Sequence, residues 1–276
     1  MKIGIIGVGI VGSAILQDFI EKDIEVITYD KYKNGGIGDI NKTLECEFVF
    51  LCWPTPYCNI NKQYNKQAIY EICEFYSINK FKGLLVLKST VEPTVTENIS
   101  CNYNLNIIHS PEFLTARTAC EDIKGQTHIV LGKTTNLNTN LYNDLIRFLK
   151  SNYPIADISL ITSTESELMK LGVNSFYATK IQFFNELYCL SKKLGISFNT
   201  VRDVMLKNKW INPMHTKVPG TDGKLSYGGM CFPKDTNALN QFMIKNNSYN
   251  MVLNSTIEEC NKIRHKNNII EKSLEI

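Results

Sequence analysis

Apolar residues fall in short unbroken blocks through the first half of the chain: "KIGIIG" at 2–7, "IEVITYD" at 24–30, "FVFLCW" at 48–53, "GLLVLKS" at 83–89, "LNIIHS" at 105–110, "THIVLG" at 127–132 and "ISLIT" at 158–162. Blocks of this length with little polar alternation read as strands buried on both faces, as in a parallel sheet covered by helices. Helical patterns lie between them at 10–22, 61–78 and 136–150, with a short helix after Pro93. This alternation predicts a doubly wound α/β sheet over residues 1–160.

After residue 160 the pattern changes. One long helix is expected from 163 to 194, with Ser163 or Thr164 as its cap, Glu165 and Glu167 in its first turn and Gly195 at its end. Further helices fit 197–207, 233–247 and 250–272, separated by a Gly-, Pro-, Asn- and Lys-rich loop at 208–232. The expected second domain, 161–276, is therefore all-helical. A chain of 276 residues is near the upper limit for one core, which agrees with two units.

Composition narrows the class. Hydrophobic residues make up 43% and charged residues 21%, as in ordinary globular proteins. The net charge is +3 with no long basic block, so a nucleic-acid partner has no support. No apolar run approaches ~18 residues, so no transmembrane helix is expected. The N-terminal apolar run is broken by Gly4, Gly7, Gly9 and Gly12, which suits a strand and helix better than a leader. The nine cysteines are odd in number and include no CxxC, which argues against a disulfide framework or a structural zinc site. Reduced thiols in a cytoplasmic protein are the simplest expectation, most of them small buried hydrophobes.

Candidate chemistry begins at "GVGIVG". Gly7, Val8, Gly9, Ile10, Val11 and Gly12 follow a strand and open a helix in GxGxxG spacing. Such a loop turns tightly, admits a pyrophosphate and packs helix on strand. Asp30, 18 residues past Gly12, ends the second strand, where a carboxylate binds ribose hydroxyls and disfavours a 2′-phosphate. The expected fold is thus Rossmann-like and the expected cofactor NAD, although Lys31 beside Asp30 weakens the preference over NADP. Pro54 and Thr55 of "CWPTP", and Ser89 and Thr90 of "KSTVEPT", follow later strands and can face the same cofactor or serve as turn residues.

Three segments carry substrate chemistry. Glu112, followed by Phe113 and Leu114, lies at the sheet's ligand edge, as a site residue or a solvated loop carboxylate. Lys170 and Asn174, four apart on the long helix, share a face. "YGGMCFPKD" places Cys231 after Tyr227, Gly228 and Gly229 and at the start of a helix, with Lys234 and Asp235 in its first turn. A helix N-terminus and nearby cations lower a thiol's pKa from about 8.5, so Cys231 reads as a nucleophile. A thiolate beside NAD suggests a four-electron oxidation. An alcohol becomes an aldehyde, the thiol adds to give a thiohemiacetal, a second hydride leaves a thioester, and water releases a carboxylate.

Together "GVGIVG", "PTP", "STV", "SPEFL", the Lys170–Asn174 helix with its "FFNE", and "YGGMCFPKD" resemble the UDP-glucose/GDP-mannose dehydrogenase family from residue 1 to about 260. Phe232 after the cysteine is more like the UDP-glucose branch. The resemblance implies oxidation of UDP-glucose to UDP-glucuronate. It implies Cys231 as the thioester nucleophile and Lys170 and Asn174 as stabilisers of oxyanion character. It further implies Thr90 and Glu112 as organisers of a water, and Asp235 as the Asp after the cysteine. Lys234 is assigned to the cofactor, and Phe113, Leu114, Tyr227, Gly228 and Gly229 to the substrate. A homodimer built on the apolar helix 163–194 is expected. "FLTAR" replaces the family's "FLREG" or "FLAEG", so a second glutamate becomes Ala116. Full-length members carry a further α/β domain, so a short form is the expectation. Two other readings stand beside this one: a two-electron β-hydroxyacid dehydrogenase, and an NAD-binding module with reduced catalysis.

Overall fold

The computed structural model describes residues 1–274, with side chains through Arg264. In chain order the elements are β1 (Ile3–Ile6), α1 (Ile10–Glu21), β2 (Val26–Tyr29), β3 (Phe48–Leu51), β4 (Tyr57–Cys58), β5 (Gln63–Tyr64), α2 (Gln67–Ile78), β6 (Leu84–Leu87), α3 (Val95–Tyr103) and β7 (Ile107–His109). Then come α4 (Ala119–Lys124), β8 (His128–Lys133), α5 (Thr139–Asn152), β9 (Asp157–Thr162), α6 (Ser163–Lys193), α7 (Phe198–Leu206), α8 (Phe232–Lys245) and α9 (Met251–Leu274). The chain divides into two compact units, Met1–Pro56 with Tyr64–Lys170, and Tyr57–Gln63 with the chain from Leu171. The division falls within α6.

The first unit is a seven-stranded sheet in the order β2-β1-β3-β6-β7-β8-β9. Strand order reverses at β1 and β3, and ligands of open α/β sheets bind beyond the strand C-termini at such a point. The apolar blocks become strands because alternate residues pack on opposite faces. Ile3, Ile5, Phe48, Phe50, Leu84 and Val86 meet Ile15 and Phe19 of α1 and Leu145 and Phe148 of α5. Ile6, Val49, Leu51, Leu85 and Leu87 meet Ile69, Cys73 and Tyr76 of α2 and Ile99 of α3. β1, β3 and β6 are buried throughout their length.

Four details differ from the sequence reading. The sheet is not wholly parallel: β8 runs antiparallel to β7, with His109 opposite Gly132, and β9 follows β8 in parallel. α2 starts at Gln67 rather than near 61, because Asn-rich residues 57–64 form a hairpin that places Lys62 at a left-handed φ of 52°. α4 was not foreseen; six residues are too few to show a period. The cap of α6 is Thr162, not Ser163 or Thr164. Glu165 accepts from Thr162 N at 2.8 Å and Thr162 Oγ1 accepts from Glu165 N at 3.3 Å, a capping box.

In the second unit, the later part of α6 packs with α7, α8 and α9 around small cores. One holds Ala178, Tyr227 and Cys260, the other Phe184, Phe198 and Val218. Among the described residues no helix is long and apolar enough to cross a membrane.

Candidate active site

The glycine loop follows from packing. A Cβ at Gly12 would lie 1.9 Å from Gly7 O, and one at Gly7, whose φ is +88°, would lie 2.8 Å from Cys52 O. Glycine at 12 therefore lets α1 seat on the end of β1, and glycine at 7 lets the turn after β1 pass the backbone at the end of β3. At Gly9 no atom lies within 4 Å of that point, so the backbone there is open to a ligand. The residues present fit a dinucleotide pyrophosphate at the start of α1.

Asp30 is tied to this loop. Its Oδ2 accepts from Val8 N at 2.7 Å, and its Oδ1 from Tyr32 N at 3.0 Å and Lys33 N at 2.9 Å. Burial would push its carboxyl up, but these backbone donors outweigh it and hold it below the usual range. A carboxylate offers about four acceptor positions, so one remains for a ribose hydroxyl. Lys31 points elsewhere, its ammonium 5.5 Å from the Tyr32 ring. The cation on the loop is Lys33, which donates to Val8 O and, at 3.1 Å, to Ser13 Oγ. Its position three residues after Asp30 was the only sequence signal for it.

Beyond the sheet edge, Thr55 and Ser89 are buried and spend their hydroxyl protons on backbone. Thr55 donates to Thr90 O and Ser89 to Trp53 O, both at 2.7 Å. The two turns are thereby sewn together, with Pro54 exposed and Thr90 half-buried. Glu92 holds the same turn from another side, accepting from Tyr64 N at 2.9 Å and Lys66 Nζ at 2.8 Å.

Glu112 is not a solvated loop carboxylate. Its Oε2 lies 3.2 Å from Lys88 Nζ, with both side chains largely buried. Lys88 also donates to Pro111 O at 3.4 Å. Lys170 Nζ donates to Glu112 O at 2.5 Å and sits 4.7 Å from the Phe113 ring centre. Leu114 packs into the sheet core. The first unit thus brings Thr90, Glu112 and Lys170 to one edge, in the turns after β6 and β7 and on α6. His109, at the end of β7, meets Ser166 Oγ at 2.8 Å through Nδ1, and burial pulls its pKa down to about 3.

Glu167 has a role that its position did not suggest. Rather than facing its own helix dipole, it is fully buried and accepts from Thr94 N, Thr96 N and Thr96 Oγ1. Burial pushes its pKa up to about 7, against those three donors.

In the second unit Cys231 occupies the N-cap position of α8, with Pro233 in the first turn. The residue is exposed and its sulfur caps nothing. Asp235, fully buried, accepts from Asn174 Nδ2 and Lys234 Nζ, each at 2.5 Å. Asn174 is therefore oriented by a carboxylate one turn into the helix that Cys231 begins. The structure puts the Tyr227 side chain to packing: it is buried against Ala178 and Cys260 rather than presented to a ligand. Gly228 is small because Arg264 is there; a Cβ would lie 2.9 Å from its Nη2. Arg264 in turn bonds Asp222 and Ser226 O, both at 2.8 Å. Gly229 takes a left-handed φ of +77°.

Comparisons with known proteins agree with this arrangement. Residues 37–150 match the NAD binding domain of the UDP-glucose/GDP-mannose dehydrogenase family, and residues 164–263 its central domain. A UDP-glucose 6-dehydrogenase of Rickettsia bellii is 31% identical over 225 residues, 79% of this chain and 50% of the relative. The chain spans about half the length of the curated relatives it matches first. Among solved structures, a UDP-glucose dehydrogenase of the archaeon Pyrobaculum islandicum superposes with a TM-score of 0.82 at 22% identity, covering 99% of this chain and 71% of that one. A 3-hydroxyisobutyrate dehydrogenase of Mycobacterium tuberculosis gives 0.74 at 14% identity, covering 95% of this chain and 92% of that one. These two structures speak for the fold. The two family domains occur here in order, the first matched region carrying Thr90 and Glu112 and the second Lys170, Asn174, Cys231 and Asp235, and the chain belongs to the UDP-glucose/GDP-mannose dehydrogenase family.

Proposed function

We propose that this chain carries out an NAD-dependent four-electron oxidation of a nucleotide sugar, taking its C6 alcohol to the carboxylate, with UDP-glucose to UDP-glucuronate as the leading case. The observation that carries this reading is the exposed Cys231 at the N-cap of α8, with Asp235 and Asn174 bonded behind it. A two-electron oxidation needs no such thiol. The names of the relatives support the substrate class.

Gly7, Gly9 and Gly12 would hold the pyrophosphate of NAD and Asp30 its adenosine ribose. Bound there, the nicotinamide supplies a two-electron acceptor. Lys170 and Asn174 stabilise negative charge on the C6 oxygen as it forms. The Cys231 sulfur adds to the aldehyde carbon, giving a thiohemiacetal; loss of its C6 hydride leaves a thioester. Thr90 and Glu112 orient the water that adds to the thioester carbon, and the C–S bond breaks to return the thiol. The sum is one alcohol, one water and two NAD⁺ going to one carboxylate, two NADH and three protons.

Asp30→Ala is expected to weaken NAD by about 1.5–3 kcal/mol, the cost of a charge-assisted contact. A preference of the unaltered protein for NADP would contradict the role given to Asp30. The broader test is a panel of nucleotide sugars with NAD, followed by NADH absorbance. Formation of NADH with UDP-glucose supports the reading, and silence with every sugar opposes it.

The chain is also proposed to pair with a second copy along α6. Phe176, Phe183 and Leu190 recur at intervals of seven and stand 63%, 50% and 51% exposed, a stripe on one face of the helix. Sedimentation should give a dimer, and Phe183→Lys should dissociate it; a monomer at all concentrations would sink the idea. Its nine unpaired cysteines suit a reducing, cytoplasmic setting.

A further inference from the structure

We propose that Glu167 is a positioning residue for this oxidation, tying the turn that carries Thr90 to the helix that carries Lys170. The inference rests on the functional reading of Thr90 and Lys170 given above.

The start of α3 explains why a remote carboxylate is needed. The first N–H groups of a helix have no partner within it. Thr94, the N-cap, has a left-handed φ of 79° and makes no side-chain cap bond. Glu167 fills both gaps. Its Oε2 accepts from Thr94 N at 2.7 Å, and its Oε1 from Thr96 N at 2.7 Å and from Thr96 Oγ1 at 2.5 Å. A fully buried carboxylate is a costly cap. A Ser, Thr, Asn or Asp N-cap with extended backbone would cap locally at less cost, a geometry that the left-handed φ of Thr94 does not give. What the local cap would not do is fix α3 to α6.

That link closes a ring. From Glu167, one turn along α6 leads to Lys170, whose Nζ donates to Glu112 O. The Glu112 side chain meets Lys88, the residue just before Ser89 and Thr90. The turn from Thr90 runs on to Thr94 and Thr96 and so back to Glu167. Within the ring, Thr55 and Glu92 pin the turn to the rest of the sheet unit, and Glu167 pins it to α6. A second link between α3 and α6, Ser163 Oγ to Glu97, is longer at 3.5 Å. With Glu167 in place, a shift of Thr90 relative to Lys170 must break charge-assisted bonds.

The test uses Glu167→Gln, which keeps size and one acceptor oxygen but turns an N–H₂ toward a donor. Two quantities are read: amide hydrogen exchange across residues 88–96, and kcat and KM for UDP-glucose with NAD. The variant should exchange about tenfold faster or more across 88–96, with exchange in α8 unchanged. Its kcat should fall by about 10–100-fold, as small misplacements of catalytic groups do, with KM for NAD within about twofold. Thr96→Val, which keeps the carboxylate and both backbone donors, should show the same pattern at smaller size and serves if the glutamine variant folds poorly. Unchanged exchange across 88–96 would overturn the tether. Faster exchange with unchanged kcat would leave Glu167 as a cap of α3 alone and overturn the positioning role. If the unsubstituted protein oxidises no nucleotide sugar, the functional reading fails and the positioning role falls with it, while the exchange rates still report on the tether.

Discussion

Replacing Cys231 with alanine is expected to abolish carboxylate formation while leaving NAD binding intact. In the proposed mechanism the thiol serves the second oxidation, which passes through a carbon bonded to sulfur, and matters less for the first. Slow single hydride transfer to the aldehyde should survive, because Lys170, held by Glu112 O, and Asn174, held by Asp235, do not depend on the sulfur. The native thiol should also react with iodoacetamide faster than most of the other eight cysteines. Cys46, Cys52 and Cys73 are buried, and burial pushes their pKa values up to about 11, 12 and 12. Cys101 is the exposed competitor. Saturating UDP-glucose should protect Cys231 and leave Cys101 reactive. Full uronate production by Cys231→Ala would rule out covalent catalysis.

Lys170→Ala should reduce turnover far more than it reduces NAD affinity. Lys170 is nearly buried, at 8% exposure, and its ammonium donates to Glu112 O and sits 4.7 Å from the Phe113 ring centre. A cation held in that setting acts most strongly on charge that develops during reaction. Loss of such a donor costs about 10²–10³-fold in kcat. Arginine should not restore the rate, since its planar fork cannot replace a compact ammonium. Stopped-flow measurement of the first hydride transfer separates this effect from thioester hydrolysis. An unchanged first step would mean that Lys170 only anchors the Glu112 loop.

What was legible in the sequence follows from how local its cause is. β1, β3 and β6 show as apolar runs because both faces of the sheet are covered, so each residue reports burial. Cys231 stands out because its glycines, its proline and its helix start lie within nine residues. The Lys170–Asn174 pair shows because helical spacing alone puts the two on one face. The residues that escaped notice have remote partners. Lys88 takes its meaning from Glu112, 24 residues on, and Lys33 from Val8, 25 residues back. Glu167 looked like an acid in the first turn of α6, while its donors lie more than 70 residues earlier in α3. Gly228 was assigned to the substrate, and its neighbour in the structure is Arg264, 36 residues on. The hairpin at 57–64 was masked because its two strands are only two residues long and the polar run at 61–63 fits turn and helix alike.

The most direct test of the account is the ratio of NADH formed to nucleotide sugar consumed, measured with UDP-glucose in limiting amount and with the carboxylate assayed alongside. Two NADH and one uronate per sugar are expected. One NADH with an aldehyde or ketone product, or none at all, would contradict it.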